Sequence, residues 1–496
     1  MSRRAAVVCL AAIATLVLGG CESAGPDDGA GDGAVRAEVE YLGTLVDLVV
    51  HPVEVQDGVA LLTVDFALAE GAPASASLSI GLILAPATGP KGTGLVRLVD
   101  LEAGTVNLPG EDAAGQPATT RDYLTLAPDA TVTSQGFYGA PTGDSVAVLF
   151  PFFGMVLDVP VVQLAGTDGF ATTPAELGRE GEITYPSPVL DTFTEGYDDS
   201  SSARVEGTAA TVALASDVLF AVDDAVLSPA AEQVVVAAAA EISAVAAGGE
   251  VSVVGHTDDV ASDAYNQDLS VRRAQAVTTV LAAALGSGFP VTPTGAGETQ
   301  PAVDGASPEA RAANRRVEIA FTASDVGAAV EIAGAPAPEP SGPTATGEAA
   351  VEVPFADGSF GVSASVVRAG PFLIGSIEVE RTSPSAGDFL EFFGTVTQGL
   401  AADRHLPMSA MVAGPHRVTL LGTSSRYYPI DYVLEEAESG GGSEVRQILA
   451  DGFLNVQPEQ GQTVLVTVVW PDPGGDTVTI DVPDRFRLLD VPVTSA

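Results

Sequence analysis

The sequence predicts a multidomain protein in which a central α/β sandwich is flanked by two mainly-β, sandwich-like domains. A chain of 496 residues is too long for one compact core and is typical of two to four domains. Strand and helix patterns alternate in its middle, which favours an α/β architecture there. On both sides, short β-branched runs alternate with turns, and the whole chain holds 54 Gly and 34 Pro. Such frequent breakers favour short strands over long helices.

The amino terminus resembles an export signal. Two arginines precede an uncharged, largely apolar run over residues 5–18, which is too short to span a bilayer. Two glycines and Cys21 follow, a pattern that resembles the lipobox of bacterial lipoproteins. We therefore expect a lipoprotein signal peptide at 1–20, lipidation of Cys21 and a flexible tether at 21–34. An ordinary signal peptide with a chance cysteine is the alternative.

Changes in composition divide the remaining chain into three blocks. The segment at 186–205 is rich in Asp and Ser, and the segment at 325–346 contains four prolines that favour an extended spacer. We interpret both segments as linkers. They separate an N-terminal β-rich domain at 35–185, a central domain at 206–324 and a C-terminal β-rich domain at 347–496.

The two outer blocks share a series of short motifs in the same order. Asp122-Tyr123, Gly136-Phe137, Gly143, Val146–Pro151 and Leu157–Pro160 in the first block correspond to Asp431-Tyr432, Gly452-Phe453, Gly461, Val464–Pro471 and Ile480–Pro483 in the second. The order indicates a duplicated β-sandwich-like domain. Because the spacings drift by several residues, a coincidence between two strand-rich segments is the alternative.

The central block alternates strands and helices. The patterns predict strands at Ala213–Phe220, Val251–Val254, Val291–Gly295 and Val317–Phe321, and helices from Ser228-Pro229 to Ala246, at Ala264–Leu285 and at Ala310–Ala313. This alternation is the reason for expecting the α/β sandwich.

The charge balance argues against nucleic-acid binding and shows where positive charge is concentrated. The chain has 21 Lys and Arg against 65 Asp and Glu, a formal net charge of -44, so a nucleic acid would be repelled. Between Glu206 and Ala310 the only Lys or Arg residues are Arg272 and Arg273, and the next are Arg311, Arg315 and Arg316. Positive charge is thus concentrated at two points of an acidic domain.

Three side chains near these arginines can converge on one pocket. Asp258 follows a predicted strand, and Asn266 and Arg273 are seven residues apart, which places them two turns apart on one helix face. A carboxylate, an amide and a guanidinium match a zwitterionic ligand such as an amino acid. The alternative, equally compatible with the spacing, is an internal Asp258–Arg273 salt bridge that ties the loop to the helix.

The central block carries an ordered series of family motifs. These are Val218–Phe220 with Asp223, Leu227–Pro229, Val254–Asp258, Asp263–Gln267, Leu269-Ser270, Arg272–Val277, Gly295–Glu298 with Pro301, and Asn314–Glu318. Together they resemble the OmpA C-terminal-like peptidoglycan-binding family, which includes the OmpA, Pal and MotB types, over about Val212–Phe321. We expect no cofactor.

The resemblance also implies roles for individual residues. It implies that Asp258 and Arg273 hold the amino and carboxylate ends of meso-diaminopimelate in the peptidoglycan stem peptide. It places Asn266, Asp223 and Arg316 along the same groove.

The chain departs from the family pattern in two loops. Val260 stands where the family commonly has a hydroxylated residue before a glycine, which removes one expected hydrogen bond to the ligand. Ala221 replaces the usual acidic residue after Phe220. Neither change affects Asp258 or Arg273.

The sequence therefore predicts a non-enzymatic cell-envelope lipoprotein that binds peptidoglycan noncovalently and tethers a membrane to the cell wall. No catalytic triad and no metal-ligand cluster are visible in the sequence. The expected partners are the stem peptide, a membrane through the lipid anchor and an unknown envelope protein or ligand at the β domains. The expected location is the outer membrane of a two-membrane host, or otherwise the outer face of the plasma membrane.

Two alternatives belong to other functional classes. In a ligand-capture or adhesion protein the β domains would be the active part, and the central domain would only anchor them to the wall. An enzyme of wall turnover is disfavoured, because the only cysteine besides Cys21 is Cys9, inside the expected signal peptide, and no hydrolytic motif is recognisable. Trp470 lies in an apolar strand pattern and is expected in the core, away from any sugar ligand.

Overall fold

The computed structural model describes residues 33–85, 92–165, 169–332, 334–385, 387, 389–393, 414–435, 445–451 and 456–496. The expected signal peptide, Cys21 and nearly all of the tether lie outside these ranges. Within the described ranges, no helix combines the length and the apolar character needed to cross a bilayer.

The described part of the N-terminal domain contains eleven strands and one short helix. They are β1 (Val35–Tyr41), β2 (Thr44–Val50), β3 (Val53–Gln56), β4 (Val59–Leu68), β5 (Leu78–Ser79), α1 (Ile80–Ile83), β6 (Arg97–Asp100), β7 (Thr105–Asn107), β8 (Thr125–Leu126), β9 (Thr131–Gly139), β10 (Ser145–Phe150) and β11 (Gly154–Gln163). The main sheet has the order β1-β2-β4-β3-β11-β10-β6-β7, with β9 also paired to β4. Alternate residues of β4, such as Val64 and Phe66, are buried in the core between the strands.

The central domain has the predicted alternation of strands and helices. Its elements are β12 (Leu190–Gly196), β13 (Ser201–Glu206), β14 (Ala209–Ala215), α2 (Ser216–Leu219), α3 (Pro229–Val245), β15 (Val251–His256), α4 (Asp263–Leu285), β16 (Val291–Gly297), α5 (Pro308–Asn314) and β17 (Arg316–Thr322). Pairing gives the strand order β12-β13-β14-β17-β15-β16, in which only β15 and β16 are parallel. Ser228, Ser262 and Ser307 cap the three longer helices through their hydroxyl oxygens.

One predicted strand of this domain was too long. The expected strand Ala213–Phe220 ends at Ala215 and is followed by the single turn α2. Leu219 and Phe220 are consecutive and both buried. A strand would have pointed them to opposite faces, whereas the helical turn lets both enter the core.

The linker expected at 186–205 is wrong, because most of this segment forms β12 and β13. The Asp and Ser run that suggested a linker is the turn of this hairpin, and Asp199 has a left-handed φ of 57°. Along β12 the buried residues include Thr192 and Thr194, which are polar enough to hide the strand pattern in the sequence.

The proline-rich segment at 325–346 is also not a free spacer. Val330 and Ile332 are buried in the central core. The Glu331 carboxylate accepts hydrogen bonds from the Ser424 backbone N–H at 2.9 Å and from the Tyr427 hydroxyl at 3.2 Å. The segment therefore joins the central and C-terminal domains through direct contacts.

The C-terminal domain is again mainly β. Its elements are β18 (Thr344–Thr346), β19 (Val351–Phe355), β20 (Gly358–Ala369), β21 (Phe372–Arg381), a 3₁₀ turn (Phe389–Glu391), β22 (Thr419–Leu421), β23 (Ser425–Tyr427), β24 (Asp431–Glu435), β25 (Val445–Ile448), β26 (Thr463–Pro471), β27 (Thr477–Val482) and β28 (Phe486–Ser495). Trp470 is fully buried and donates its indole N–H to the Val418 carbonyl at 2.8 Å, which confirms the expectation that it belongs to the core.

The two β domains repeat the same strand pairing. A constant shift of 332 residues carries β9, β10 and β11 onto β26, β27 and β28 with identical bounds. The contacts with earlier strands agree as well, since β9 pairs with β4 as β26 pairs with β21, and β11 runs parallel to β3 as β28 runs parallel to β20. The same five-residue sequence occupies Leu157–Val161 and Leu489–Val493, with a left-handed Asp158 and Asp490.

The motif correspondence expected from the sequence was therefore wrong in register, although a repeat is present. The segment Leu157–Pro160 corresponds to the residues at 489–492 and not to Ile480–Pro483. The error arose because the C-terminal domain contains the triplet Asp-Val-Pro twice, at 481–483 and at 490–492.

The repeats pack head to tail. On one side of their shared apolar cluster lie Val99, Ala147 and Leu149 of the N-terminal domain, and on the other lie Phe372, Ile374 and Val469 of the C-terminal domain. The residues of the N-terminal domain that correspond to this second set, Val59, Leu61 and Phe137, are covered by Phe170, Leu177, Ile183 and Tyr185. We call residues 169–185 the capping segment.

The central sheet continues into the C-terminal domain. Strand β12 pairs with β13 on one side and with β23 and β24 on the other. Beneath this junction, the buried Arg446 guanidinium forms ion pairs with Asp191 and Asp431. The central and C-terminal domains are thus connected by continuous main-chain hydrogen bonding and a buried charge cluster.

Candidate functional site

The candidate pocket lies at the carboxyl end of β15, where two loops meet α4. Asp258 is in the loop after β15, and its side chain is mostly buried. One carboxylate oxygen accepts the backbone N–H of Val260 at 3.1 Å, and the other accepts a guanidinium N–H of Arg315 at 2.8 Å. The loop is therefore held in a defined turn with a carboxylate at its base.

Arg273 projects from α4 into the same region and is only 4% exposed. Its Nε donates to the Asp224 carbonyl at 3.0 Å, and its guanidinium lies 5.2 Å from the centre of the Phe220 ring. Burial lowers the pKa of Arg273, while the nearby Asp217 and Asp223 carboxylates raise it. A guanidinium remains protonated in proteins, so the pocket contains a fixed positive charge.

Arg273 has no ion-pair partner in the part of the chain that the structure describes: no carboxylate oxygen there lies within 4.0 Å of it. The internal Asp258–Arg273 salt bridge that was the alternative reading is not formed. Asp258 instead pairs with Arg315, which also binds Asp217 through two N–H groups at 2.9 and 2.5 Å. The Asp258 carboxylate and the Arg273 guanidinium thus both lie near the pocket without forming an ion pair with each other.

Asn266 holds the loop in place. Its side chain is buried, and its amide N–H groups donate to the Asp258 carbonyl at 3.1 Å and to a Glu298 carboxylate oxygen at 2.5 Å. The structure therefore brings Asn266 to Asp258, as expected for three converging side chains, but uses the amide to position the loop.

Asp223 lies on the opposite loop, where its φ of 60° is left-handed. Loss of solvation and the neighbouring Asp223 carboxylate raise the pKa of Tyr265. Asp223 also faces Arg273 closely enough to raise the pKa of that guanidinium. The second loop therefore contributes a carboxylate to the pocket entrance.

Arg316 is not placed with the other predicted site residues. It bonds Glu318 at 2.7 Å and the Gln300 carbonyl at 3.2 Å along β17. The sequence contains the signal for this pairing, since residues two apart on a strand share a face. Arg315, which precedes the strand, is the arginine that reaches Asp258, and the sequence reasoning did not select it.

His256 has a structural environment. It is buried on β15, and its Nε2 lies 3.3 Å from a carboxylate oxygen of Glu318. Burial opposes ionisation of Glu318, but His256 and Arg316 outweigh it and lower its pKa to about 2. Within the described residues, no three His, Cys, Asp or Glu side chains are grouped to hold a metal ion.

Close backbone packing sets the position of α4. A Cβ on Gly255 would lie 2.2 Å from the Ser270 carbonyl oxygen, and one on Gly295 would lie 2.6 Å from the Val271 nitrogen. These two glycines let β15 and β16 approach the helix that carries Asn266 and Arg273.

Comparisons with known proteins place this pocket in a family. The model of the OmpA family matches residues 219–315. Over 64 residues the chain is 55% identical to outer membrane porin F of Pseudomonas aeruginosa, covering 13% of this chain and 18% of that protein. Over 198 residues it is 28% identical to the peptidoglycan-binding protein ArfA of Mycobacterium bovis, covering 38% of this chain and 60% of that one. The chain thus spans less than two thirds of the length of either relative.

A solved structure of the cell wall anchor of the T6SS from Pseudomonas aeruginosa is also similar. It is 35% identical, with a TM-score of 0.22, and the match covers 24% of this chain and 83% of that one.

The OmpA-like peptidoglycan-binding family is structural and non-enzymatic, in agreement with the expectation from the sequence. Residues 219–315 form an OmpA-family domain, as their motifs predicted.

Proposed function

We propose that this protein binds peptidoglycan noncovalently, with Arg273 and Asp258 holding the two ends of a diaminopimelate side chain in the stem peptide. The observation that carries the proposal is the buried Arg273 guanidinium, which has no carboxylate partner among the described residues. A buried charge without a carboxylate in direct contact is unfavourable, and a ligand carboxylate would supply the missing partner.

The arrangement around Asp258 supports the same ligand. Its carboxylate is shared with Arg315, while Asp223 and Asp217 add negative charge nearby. An incoming ammonium group would be attracted to these carboxylates, as the ligand carboxylate would be to Arg273. In this proposal Asn266 is a positioning residue, and Arg316 has no part.

We propose further that the protein is a lipoprotein of the cell envelope that links a membrane to the wall. The export signal and Cys21 support the lipid anchor, and the acyl chains would hold the membrane while the OmpA-family domain holds the wall. The flanking domains are proposed to be β-sandwiches, rigidly attached through β12 and the head-to-tail interface.

A second candidate function is ligand capture by the β domains. A cavity of about 1040 Å³ opens where the three domains meet, lined in part by Leu101, Val245 and Pro371, one from each domain. Clefts between domains are common ligand sites. In this case the OmpA-family domain would only position the cavity at the wall.

The test of the main proposal is cosedimentation of the soluble chain from residue 22 onward with isolated diaminopimelate-type sacculi. The variants are Arg273→Ala and Asp258→Ala, and the matched control is Arg272→Ala. Arg272 is the adjacent arginine, but it is exposed and already paired with Asp268 at 2.8 Å. Each lost charge-assisted hydrogen bond is worth about 1.5–3 kcal/mol, so we expect affinity to fall roughly tenfold or more in the first two variants only.

Circular dichroism establishes that each variant is folded. If Arg273→Ala bound sacculi as tightly as the wild type, the pocket assignment would be wrong. If the wild type did not bind, the second candidate function would be favoured.

A further inference from the structure

The three most exposed large apolar side chains of the described residues lie on the two loops that hold the polar groups of the pocket. Val222 is 91% exposed, Val226 is 72% exposed and Val260 is 55% exposed. Val222 and Val226 lie within two residues of Asp224, whose carbonyl bonds Arg273, and Val260 lies two residues after Asp258. Apolar groups of this size are seldom left in water without a binding role when they are grouped together.

Two further exposed side chains complete the group. Val218 adjoins Asp217, and Tyr265 adjoins Asn266. We call Val218, Val222, Val226, Val260 and Tyr265 the apolar rim. Within 206–324, all of which the structure describes, the only other large apolar side chain of comparable exposure is Val236 on α3. The exposure is therefore a feature of the pocket and not of the whole domain.

The loops hold two rim valines outward. The Val226 N–H donates to an Asp224 carboxylate oxygen, and the Val260 N–H donates to an Asp258 carboxylate oxygen, both at 3.1 Å. Each bond closes a tight local turn. The orientation of these valines is thus coupled to the residues that form the polar floor of the pocket.

The pocket as a whole therefore has charges at its floor and apolar groups around its mouth. We propose that the apolar rim packs against the methyl groups of the D-alanine residues that follow the diamino acid in a stem peptide. The site would then recognise an extended peptide and not the diamino acid alone. This inference rests on the proposed function and adds the part of the ligand that lies outside the charged pocket.

The chemistry of the surrounding surface favours a peptide over a lipid surface. Arg273 is recessed, so its guanidinium can be reached by a narrow ligand but not by a headgroup in a flat bilayer. The chain also has a formal net charge of -44, which opposes approach to anionic membranes. A valine at 260 in place of a hydroxylated residue exchanges a polar contact for an apolar one.

The experiment measures binding of two soluble muropeptides by isothermal titration calorimetry. One is the disaccharide tripeptide that ends at diaminopimelate, and the other is the disaccharide pentapeptide that carries two D-alanines. The proteins are the soluble chain from residue 22, the combined variant Val222→Ser, Val226→Ser and Val260→Ser, and the control Val236→Ser. A rim variant with unchanged circular dichroism keeps the comparison valid.

We expect the wild type and Val236→Ser to bind the pentapeptide more tightly than the tripeptide, by about three- to fourfold for each buried methyl group. We expect the rim variant to bind both peptides with nearly equal affinity. For each protein we compare the ratio of its pentapeptide affinity to its tripeptide affinity. Any effect of the different position of the peptide's terminal carboxylate is common to all three proteins and cancels when these ratios are compared.

Equal pentapeptide preference in the wild type and the rim variant would overturn the inference while leaving the charged pocket intact. Failure of the wild type to bind either peptide would instead overturn the proposed function. Binding of the wild type, but not of the rim variant, to vesicles of phosphatidylethanolamine and phosphatidylglycerol at 3:1 would assign the rim to a membrane and also overturn the inference.

Discussion

Asp451 illustrates how a single buried carboxylate can link two domains. Its side chain is completely buried, and it accepts the backbone N–H of Phe152 in the N-terminal domain at 3.0 Å and that of Thr467 in its own domain at 2.6 Å. Burial raises the pKa of Asp451 to about 7, although both hydrogen bonds and the nearby Arg97 act in the opposite direction.

This raised pKa predicts a pH dependence of stability. The folded protein holds the Asp451 proton up to about pH 7, while the unfolded chain releases it near the ordinary aspartate pKa of 3.8. The contribution of Asp451 to the free energy of unfolding is therefore fully present below about pH 4 and declines as the pH rises to about 7. A shift of this size corresponds to at most about 4 kcal/mol.

The measurement is urea unfolding of the wild type and Asp451→Asn at pH 5 and pH 8. Asparagine cannot ionise, so the wild type should lose more stability between the two pH values than the variant does. Many other carboxylates titrate in this window, and the difference between the two proteins isolates Asp451. Parallel pH dependences would contradict the raised pKa.

At the residue scale, sequence reasoning succeeded where the geometry is local. Asn266 reaches Asp258 because both lie within one loop-helix unit with fixed periodicity. The sequence did not single out Arg315 as the partner of Asp258, because that contact depends on the residue at which β17 begins and hence on which side of the sheet each arginine lies.

At the scale of elements, the strand-helix contact around Gly255 determines where Arg273 sits. A methyl group on Gly255 would overlap the Ser270 backbone carbonyl, so β15 and α4 would have to separate. We expect Gly255→Ala to lower the free energy of unfolding by about 1–3 kcal/mol, as overpacking typically does. We also expect weaker sacculus binding, because the displaced helix carries the guanidinium.

The matched control is Gly288→Ala, at a position in the same domain where an added Cβ has no neighbour within 4 Å. Chemical unfolding and sacculus cosedimentation of both variants provide the test. Wild-type stability in Gly255→Ala would show that this contact does not fix the helix.

The sequence predicted the helices more reliably than it predicted the strands, whose formation depends on their pairing partners. The periodicity of both helices and the Ser228-Pro229 start signal of α3 placed α3 and α4 within one or two residues. The strands β12 and β13 were missed because their Asp, Ser and Thr residues are polar, and only pairing with β14, β23 and β24 makes these positions strand-like.

At the scale of the whole molecule, the head-to-tail repeat raises the question of what ends the series. An interface between two unlike faces can in principle add further copies without limit. In the N-terminal domain, the face equivalent to the one that receives its neighbour contains Leu61 and Phe137 and is covered by the capping segment. The ring centres of Phe170 and Phe137 lie 5.5 Å apart in an edge-to-face arrangement.

We therefore expect the combined variant Phe170→Ser and Leu177→Ser to expose an adhesive face. It should self-associate more than the wild type in size-exclusion chromatography with light scattering, and it should bind more of the dye ANS. The control is Leu45→Ser, which removes an apolar side chain that is already exposed. An unchanged mass and unchanged dye binding would exclude a blocking role for the capping segment.

The sequence by itself determined the elements and chemistry that depend on neighbours along the chain. These include the alternation of strands and helices, the OmpA-family motifs and the convergence of Asp258 with Asn266, because backbone periodicity and helix caps act over a few residues. Tertiary structure alone decided that Asp258 pairs with Arg315, that Arg273 is left without a carboxylate among the described residues, and that the repeats align through β28. Those outcomes depend on contacts between residues far apart in sequence, whose burial and strand register follow only from the packed whole.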